Sequence, residues 1–315
     1  MSKIRVGHIG AGGKGRQHMD NVVKMEGVEL VAVCDPIEPL RTKFADDYGA
    51  AGRYDKIETM LANEDLDAAF VTTPAHINAI AALPCLEAGV NTFMEKPPGI
   101  SLKETQGLRD AAARSGAQGM VGFNRRFEPL INLPADMILE RGPIVLLVCI
   151  FHKSMTRLEQ LGRWPDELMD NFLWETPIHS IDLMRHLAGS EIIEVHGACR
   201  RAFHKFKDVF GGMVYFENGC MAHLIFNMTG TPRLERYEIH GRDASAYIED
   251  KAYVIRDGER IDIDAEDDAG TALEDRFFID CLREGKKIGL PAANLDEAVK
   301  SMEVAHTILQ RLLPD

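Results

Sequence analysis

The sequence Ile4-Arg5-Val6-Gly7-His8-Ile9 runs directly into Gly10-Ala11-Gly12-Gly13-Lys14-Gly15, and this junction decides the fold. The first stretch is typical of a strand, and the second matches the G-x-G-x-x-G pattern that joins strand to helix in dinucleotide-binding domains. Gly10 permits a tight turn, Gly12 lets the backbone approach a pyrophosphate, and Gly15 lets the helix pack closely on the strand. The helix N-terminus then presents N–H groups and the positive end of its dipole to phosphates. The junction therefore predicts a nucleotide-binding loop.

The cofactor itself is indicated by an acidic residue, Asp35, which ends the next predicted strand 20 residues after Gly15. Its carboxylate can accept hydrogen bonds from the ribose hydroxyls of NAD and would repel the 2′-phosphate of NADP. NAD is therefore the expected cofactor and NADP the less favoured one. Asp35 is also compatible with a role as N-cap of the following helix. Ala11, Gly13 and Lys14 complete the predicted cofactor loop. Gly13 could instead only add length to the loop, and the side chain of Lys14 could be solvated without contacting a phosphate.

Up to residue 122 the pattern alternates short apolar runs with helical stretches. This alternation predicts a parallel sheet covered on both faces, a doubly wound Rossmann domain of residues 1–122. The predicted strands are 4–9, 28–34, 68–71, 90–94 and 118–121, and the predicted helices lie near 15–25, 38–48, 56–63, 77–88 and 101–115.

From residue 123 to 315 the pattern predicts an α+β domain with a large, open, mixed or antiparallel sheet. The turns are assigned to Gly211-Gly212 and to the hairpin dipeptides Asn218-Gly219 and Asp257-Gly258. The predicted strands are 144–153, 191–203, 208–217, 220–229, 234–241 and 245–263, and the helices lie near 126–141, 177–188, 271–284 and 294–312.

Composition narrows the functional classes. The net charge is −13, from 36 basic and 49 acidic residues, which opposes binding to nucleic acid. The longest apolar run has eight residues, whereas a membrane-spanning helix needs about 20. Six scattered cysteines and an N-terminus without a signal-peptide pattern favour a cytoplasmic protein with reduced thiols. Neither H-E-x-x-H nor G-x-S-x-G occurs, so a metal site and a hydrolase elbow are not expected.

Several motifs in order give the chain a resemblance to the Gfo/Idh/MocA oxidoreductases, the group that includes glucose-fructose oxidoreductase and inositol dehydrogenase. The resemblance covers nearly the whole chain, and Glu-Lys-Pro after a strand is its most telling part. The motifs are the glycine loop with Asp35, Val71-Thr72-Thr73-Pro74-Ala75-His76, Glu95-Lys96-Pro97, Gly122-Phe123-Asn124-Arg125-Arg126-Phe127 and His179-Ser180-Ile181-Asp182.

The resemblance implies a place for Thr72, Thr73 and Pro74 against the nicotinamide-side ribose. An ordinary strand-to-helix turn with a threonine cap is the alternative. His76 lies just beyond and is equally compatible with facing the cofactor and with a structural role in the first helical turn.

The resemblance also implies that Lys96, with Glu95 before it in the cofactor site, takes part in catalysis. A lysine at a strand end is ordinarily a solvated charge, but the prolines that follow fix this backbone. Asn124 and Arg126 resemble residues that line the active-site cleft of the family and are expected to bind substrate.

His179 is the expected general base. Thr176-Pro177 looks like the N-cap and first residue of a helix, which places His179 in the first turn, where the helix dipole favours a neutral ring. The family usually has an aspartate four residues before this histidine; here Glu175 stands there, after a segment without glycines. The carboxylate that orients His179 is therefore either Glu175 or Asp182. Asp182 is also expected near the substrate, with a helix-surface or core-capping role as the alternative.

Together these residues predict a dehydrogenase that moves a hydride between nicotinamide and a carbinol carbon of a sugar, cyclitol or related polyol. His179 would take the hydroxyl proton and Lys96 would stabilise the alkoxide. A non-catalytic NAD-binding sensor and an enzyme that recycles bound NAD are the alternatives.

A homodimer or homotetramer is expected through the second sheet. Some of the apolar side chains on its predicted strands must face away from the helices of the same domain. Exposed apolar runs of this kind commonly mark interfaces. The family resemblance implies the same assembly. The apolar side chains considered are Val195, Val214, Tyr215, Leu224 and Phe226.

Overall fold

The computed structural model describes residues 3–265 and 269–314, with the side chain of Thr231 left out. Within the described residues the chain divides into two compact units. The first contains the residues up to Asn124 together with Gly270–Val299, and the second contains Arg125–Ala269 and the residues from Lys300 onward.

Among the described residues the first sheet has seven strands where the sequence predicts five, and the second has eight where it predicts six. In chain order they are β1 (Ile4–Ile9), β2 (Val28–Cys34), β3 (Gly52–Tyr54), β4 (Ala68–Val71), β5 (Asn91–Glu95), β6 (Gly119–Gly122), β7 (Leu146–Ser154), β8 (Ile192–Arg200), β9 (Val209–Phe216), β10 (Met221–Asn227), β11 (Thr229–Gly241), β12 (Ala244–Ile248), β13 (Ala252–Arg256), β14 (Glu259–Ile263) and β15 (Ala293–Asn294).

The helices include two short ones that the sequence analysis did not predict, at residues 155–161 and 166–170. In chain order the α-helices are α1 (Gly13–Val22), α2 (Glu38–Tyr48), α3 (Ile57–Asn63), α4 (Asn78–Glu87), α5 (Leu102–Ser115), α6 (Pro129–Leu139), α7 (Met155–Leu161), α8 (Asp166–Asp170), α9 (Ile178–Ala188), α10 (Gly270–Glu284) and α11 (Leu295–Gln310). None of the described helices is long and apolar enough to cross a membrane.

The sheet of the first unit has the order β15-β6-β5-β4-β1-β2-β3. Strands β1 to β6 are parallel, and β15 adds an antiparallel edge beside β6. The predicted doubly wound parallel sheet is thereby confirmed. The strand order reverses between β1 and β4, and open α/β sheets bind ligands at the carboxyl ends of the strands flanking such a reversal. The glycine loop follows β1 and Thr72 follows β4, so both lie at that point.

Residues 270–299 lie in the first unit, whereas the sequence analysis assigns everything after residue 122 to the second domain. The reason is packing: α10 lies against α1, and β15 pairs with β6 through Ala293 and Val121. The chain therefore returns to its first unit after the second sheet, which a boundary drawn along the sequence does not allow.

The sheet of the second unit has the order β14-β13-β12-β11-β7-β10-β9-β8. All neighbours are antiparallel except β7 and β10, which are parallel, so the predicted large mixed sheet is confirmed. Helices α6 and α9 pack on one of its faces. Asn218-Gly219 and Asp257-Gly258 form turns with positive φ at Gly219 (84°), Asp257 (54°) and Gly258 (83°), as the sequence predicts.

The prediction of a turn at Gly211-Gly212 is wrong. Both glycines lie inside β9, opposite Ala198 and Gly197 of β8. A Cβ at Gly212 would stand 3.0 Å from the side chain of Ile308 on α11, and one at Gly197 would stand 2.5 Å from it. Glycine at positions 197 and 212 lets α11 approach the strands closely, whereas a Cβ at Gly211 would meet no atom closer than 3.9 Å.

Candidate active site

Two glycines of the loop after β1 are required by contacts within the first unit. Gly10 has φ of +95°, and a Cβ there would stand 2.9 Å from the carbonyl oxygen of Thr72. A Cβ at Gly15 would stand 2.5 Å from the carbonyl oxygen of Gly10 and would also collide with the His8 ring. Any other residue would push helix α1 away from the strands, so the sequence reading of these two glycines is supported.

The other two glycines face open space. A Cβ at Gly12 or Gly13 would meet no atom within 4 Å. Helix α1 begins at Gly13, and among the described residues no side chain caps its first N–H groups. Lys14 extends beside the loop, with Nζ 3.7 Å from Oε1 of Glu95. Unpaired N–H groups at an open helix N-terminus, with an ammonium nearby, fit the diphosphate of a dinucleotide.

The carboxylate of Asp35 is tied to the same loop. Its Oδ2 accepts the N–H of Ala11 and its Oδ1 accepts the N–H of Ile37, each at 2.8 Å. The N-cap of α2 is Ile37, so Asp35 is not the cap of that helix. Each oxygen keeps lone pairs beyond these bonds, and a carboxylate can accept about four hydrogen bonds. Asp35 therefore fits the ribose hydroxyls of a dinucleotide.

The hydroxyl of Thr72 is buried and contacts other residues of the protein. Oγ1 donates to the carbonyl oxygen of Gly10 at 2.9 Å and lies 3.1 Å from Nε2 of His8. Burial lowers the pKa of His8 to about 3, so this ring is neutral. Thr72 thus holds the glycine loop to the end of β4. It does not cap the helical segments that follow, whose N-caps are Pro74 and Ile77.

The residues that follow Thr72 are less buried. The hydroxyl of Thr73 donates to Oδ1 of Asn78 at 3.1 Å, and Pro74 is exposed at the start of a short 3₁₀ helix. His76 is half-buried in that helix, and its Nδ1 has no hydrogen-bond partner among the described residues.

Lys96 immediately follows β5, in a turn whose backbone is held by two side chains. Its N–H donates to Oε2 of Glu95 at 2.9 Å. The side-chain amide of Asn78 donates to the carbonyl oxygens of Glu95 and of Pro97, the latter at 2.9 Å. The Lys96 side chain is half-buried. The sequence analysis placed Lys96 at a strand end but did not single out Asn78.

Glu95 belongs to a buried charged cluster that the sequence analysis missed. Nε2 of His18 lies 3.3 Å from Oε1 of Glu95, and Nδ1 lies 2.6 Å from Oδ1 of Asp275 on α10. Burial alone would lower the pKa of His18, but the two carboxylates raise it to about 10. Burial alone would raise the pKa of Glu95, but His18, Lys14 and Lys96 lower it to about 2.

A signal for His18 was present in the sequence, since the helical period places it on the same face as Gly15, Met19 and Val22, all buried. Its partner Asp275 lies 257 residues away, and no local pattern connects the two.

In the second unit, His179 lies in the first turn of α9, as predicted. Its N–H donates to the carbonyl oxygen of Thr176 at 3.2 Å, and its ring is half-buried. The helix N-cap is Pro177, one residue later than expected. The Thr176 hydroxyl donates to the carboxylate of Glu175 and accepts from Nζ of Lys153 at 3.1 Å. A proline at the start of the helix fits its fixed φ.

Asp182 and Arg126 form a buried ion pair where the sequence analysis expected substrate contacts. Nε and Nη2 of Arg126 donate to the two carboxylate oxygens of Asp182 at 2.7 and 2.8 Å, and both side chains are at most 1% exposed. Ser301 donates to Asp182 as well, at 2.9 Å. Both carboxylate oxygens are engaged in this pair, so the structure supports a stabilising role for Asp182 and Arg126.

The two residues that precede Arg126 in the sequence belong to different units. In the first, Nδ2 of Asn124 donates to the Thr271 hydroxyl at 3.3 Å. In the second, Arg125 forms a bidentate pair with Glu235 at 2.9 and 3.3 Å, beside a pocket of about 290 Å³. Burial would raise the pKa of Glu235, but Arg125 lowers it to about 2. No group of three or more metal-ligating side chains occurs in residues 3–265 and 269–314.

A doubly wound sheet with this loop, Asp35 and the lysine turn defines a nucleotide-binding oxidoreductase as the class of protein. Residues 4–123 match the model of an oxidoreductase family with an NAD-binding Rossmann fold, and residues 140–247 match the GFO/IDH/MocA C-terminal domain. The chain belongs to the Gfo/Idh/MocA family of NAD-binding oxidoreductases. The predictions of this family, of NAD as cofactor and of a dehydrogenase-type enzyme are thereby confirmed.

Individual relatives act on different substrates. The chain is 27% identical to a 4-carboxy-2-hydroxymuconate-6-semialdehyde dehydrogenase of Sphingobium sp., with 90% of this chain and 92% of the relative covered. It is 26% identical to the scyllo-inositol 2-dehydrogenase (NAD⁺) of Bacillus subtilis, over 90% and 87%. The fold matches a UDP-N-acetylglucosamine 3-dehydrogenase from Acidithiobacillus ferrooxidans with a TM-score of 0.82, 19% identity and coverage of 99% and 98%.

Proposed function

We propose that the protein oxidises or reduces a carbinol carbon of a cyclitol, sugar or related polyol, with NAD preferred over NADP. The observation that carries this proposal is the Lys96 turn at the carboxyl edge of the first sheet. Glu95 and Asn78 fix its backbone beside the turn that follows β4. Bound NAD supplies or accepts the hydride.

The chain's own residues would handle the charge and the proton. The Lys96 ammonium would stabilise the negative charge that develops on the substrate oxygen. His179 would accept the hydroxyl proton, with Glu175 as the carboxylate that orients it, because both oxygens of Asp182 are engaged by Arg126. The cofactor would lie against the glycine loop, Asp35, Thr73, Pro74 and His76, and Asn124 would face the substrate.

The substrate class rests on the relatives, one of which is named for scyllo-inositol. The test is a panel of inositols, sugars and uronates scored by NADH appearance at saturating substrate. NADH formation with one class supports the proposal. Bound NAD with no turnover would instead identify a sensor, and turnover without net NADH would identify a recycled cofactor.

The proposed assembly is a homodimer or homotetramer through the face of the second sheet that lies opposite α6 and α9. On that face Met221 and Ile225 are 40% and 46% exposed. An exposed apolar sheet face favours association. A cytoplasmic location is proposed because all six cysteines are buried thiols.

A further inference from the structure

Asn78, the first residue of α4, is fully buried and makes three side-chain hydrogen bonds. Its Nδ2 donates to the carbonyl oxygens of Glu95 and Pro97, and its Oδ1 accepts the Thr73 hydroxyl. The amide thus connects the turn after β4 with the turn after β5. Both turns lie at the carboxyl edge of the same sheet.

The chemistry of the contacts fixes the orientation of this amide. The two carbonyl oxygens can only accept, so the NH₂ group must face them, and Thr73 must donate to the oxygen. One nitrogen with two hydrogens therefore bridges the carbonyls on either side of Lys96. A serine or a protonated carboxyl group offers a single donor and could satisfy only one of them.

The two carbonyls that Asn78 holds belong to the residues before and after Lys96. The Lys96 N–H is itself bound to the Glu95 carboxylate at 2.9 Å. Two buried side chains, those of Asn78 and Glu95, thus bind three backbone groups around the proposed catalytic lysine: two carbonyls and one N–H. Misplacing a reacting group by about 1 Å can cost about 100-fold in rate.

We propose that Asn78 is a positioning residue for Lys96, and that its amide sets the place of the ammonium relative to the turn after β4. The inference rests on the proposed catalytic role of Lys96. It adds a fully buried residue that acts on the reaction through the Lys96 turn, and whose bond to Thr73 links that turn to the proposed cofactor site.

A double-mutant cycle separates positioning from general stability. Asn78→Ala is expected to lower kcat by about 10- to 100-fold, with the Kd for NAD little changed. In a Lys96→Ala background the same substitution should cost nothing further, because the group that it positions is gone. Equal losses of kcat in both backgrounds, or wild-type kcat for Asn78→Ala, would overturn the proposal.

Asn294→Ala is the matched control. Asn294 lies in the same unit, and its amide also donates to a backbone carbonyl, that of Ile288 at 3.3 Å, while its oxygen accepts the N–H of Glu297. It caps α11 and pairs with Met120 at the other end of β6. This variant should lose stability and keep kcat. Asn78→Ser, with one donor left, should be intermediate and covers the case in which Asn78→Ala does not fold.

A second readout needs no substrate. Acylation of lysine side chains, followed by peptide mass spectrometry of the whole protein, should show faster labelling of Lys96 in Asn78→Ala and unchanged labelling of exposed Lys103. Unchanged labelling of Lys96 would refute positioning. Full activity of Lys96→Ala alone would refute the proposed function instead, so the two failures can be told apart.

Discussion

The carboxylate of Asp35 accepts the backbone N–H of Ala11, with 2.8 Å between Oδ2 and N. This bond joins the end of β2 to the glycine loop. The residue that would select the cofactor therefore also supports the loop that would bind its diphosphate. Substitutions of Asp35 should change both the selectivity and the stability of the loop.

The first prediction concerns the cofactor. The unaltered protein should bind NAD more tightly than NADP by about 1–3 kcal/mol, because a 2′-phosphate would meet the Asp35 carboxylate. Asp35→Ala should narrow that gap. Asp35→Asn keeps the shape and one acceptor, so it should narrow the gap with less loss of loop stability. Calorimetric titration with both cofactors measures the difference, and equal affinities in the unaltered protein would contradict the assignment.

The second prediction concerns the buried cluster of His18, Glu95 and Asp275. Replacing His18 by Gln removes the buried cation that Glu95 and Asp275 share and should cost about 3–5 kcal/mol of stability. The pKa of His18 rises from 6.5 when unfolded to about 10 when folded. The charge of His18 therefore stabilises the fold fully below pH 6.5, and this contribution is lost as the pH rises through 10.

The contribution of Glu95 to stability changes with pH in the opposite direction. Its pKa falls from 4.5 to about 2, so its contribution is present above pH 4.5 and is lost as the pH falls through 2. The stability difference between the wild type and His18→Gln should be constant from about pH 5 to 6.5 and should shrink toward pH 10. Denaturant titrations at several pH values measure it. His196→Gln, which alters an exposed pair with Glu194, should change stability by less than about 1 kcal/mol.

Much of the fold was predictable because its signals are local. The buried strands of the first unit are short apolar runs, and β4 is buried throughout. In contrast, β3 has three residues, too few to show a period, and α7 and α8 have seven and five residues, less than two helical turns each. The two glycines of β9 resemble a turn in the sequence, and only the structure shows that Ile308 packs against Gly212.

The residues of the candidate site likewise divide into those that a local motif predicts and those that only long-range contacts identify. Gly10, Gly15 and Asp35 were identifiable because a motif fixes their spacing. Asn78 and the partner of His18 were not, since their contacts join elements distant in sequence. Arg126 and Asp182 also stand in motifs, but the sequence does not show that they form a buried ion pair with each other.

The third prediction concerns assembly. Val214, Leu224 and Phe226 are buried. These three side chains lie on the face of the second sheet that α6 and α9 cover, and the other face of that sheet also carries apolar side chains. There Ile225 is paired with Ile150 and Gly211, and Met221 with Leu146 and Tyr215.

Ile225→Glu should therefore convert an oligomer to a monomer, because burying a carboxylate at an apolar interface is costly. Light scattering at micromolar concentration measures the mass. Leu139→Glu, at a 50% exposed position on α6, which packs on the other face of the sheet, should leave the mass unchanged. A monomeric mass for the wild-type protein would contradict the proposed homo-oligomer.

The last prediction concerns proton transfer. His179→Ala removes the proposed general base in the second unit and leaves the glycine loop intact. NAD should still bind, while turnover falls by about 10²–10⁴. Lys96→Ala should lose a comparable factor. The double variant should lose less than the product of the two single losses, because residues that act on one transition state are not independent. His196→Ala, at an exposed position on β8, should retain wild-type turnover. Single-turnover and steady-state NADH formation, with NAD binding measured in parallel, give all these values. If the two losses multiply fully, Lys96 and His179 serve separate steps; if His179→Ala turns over normally, the proton leaves by another group.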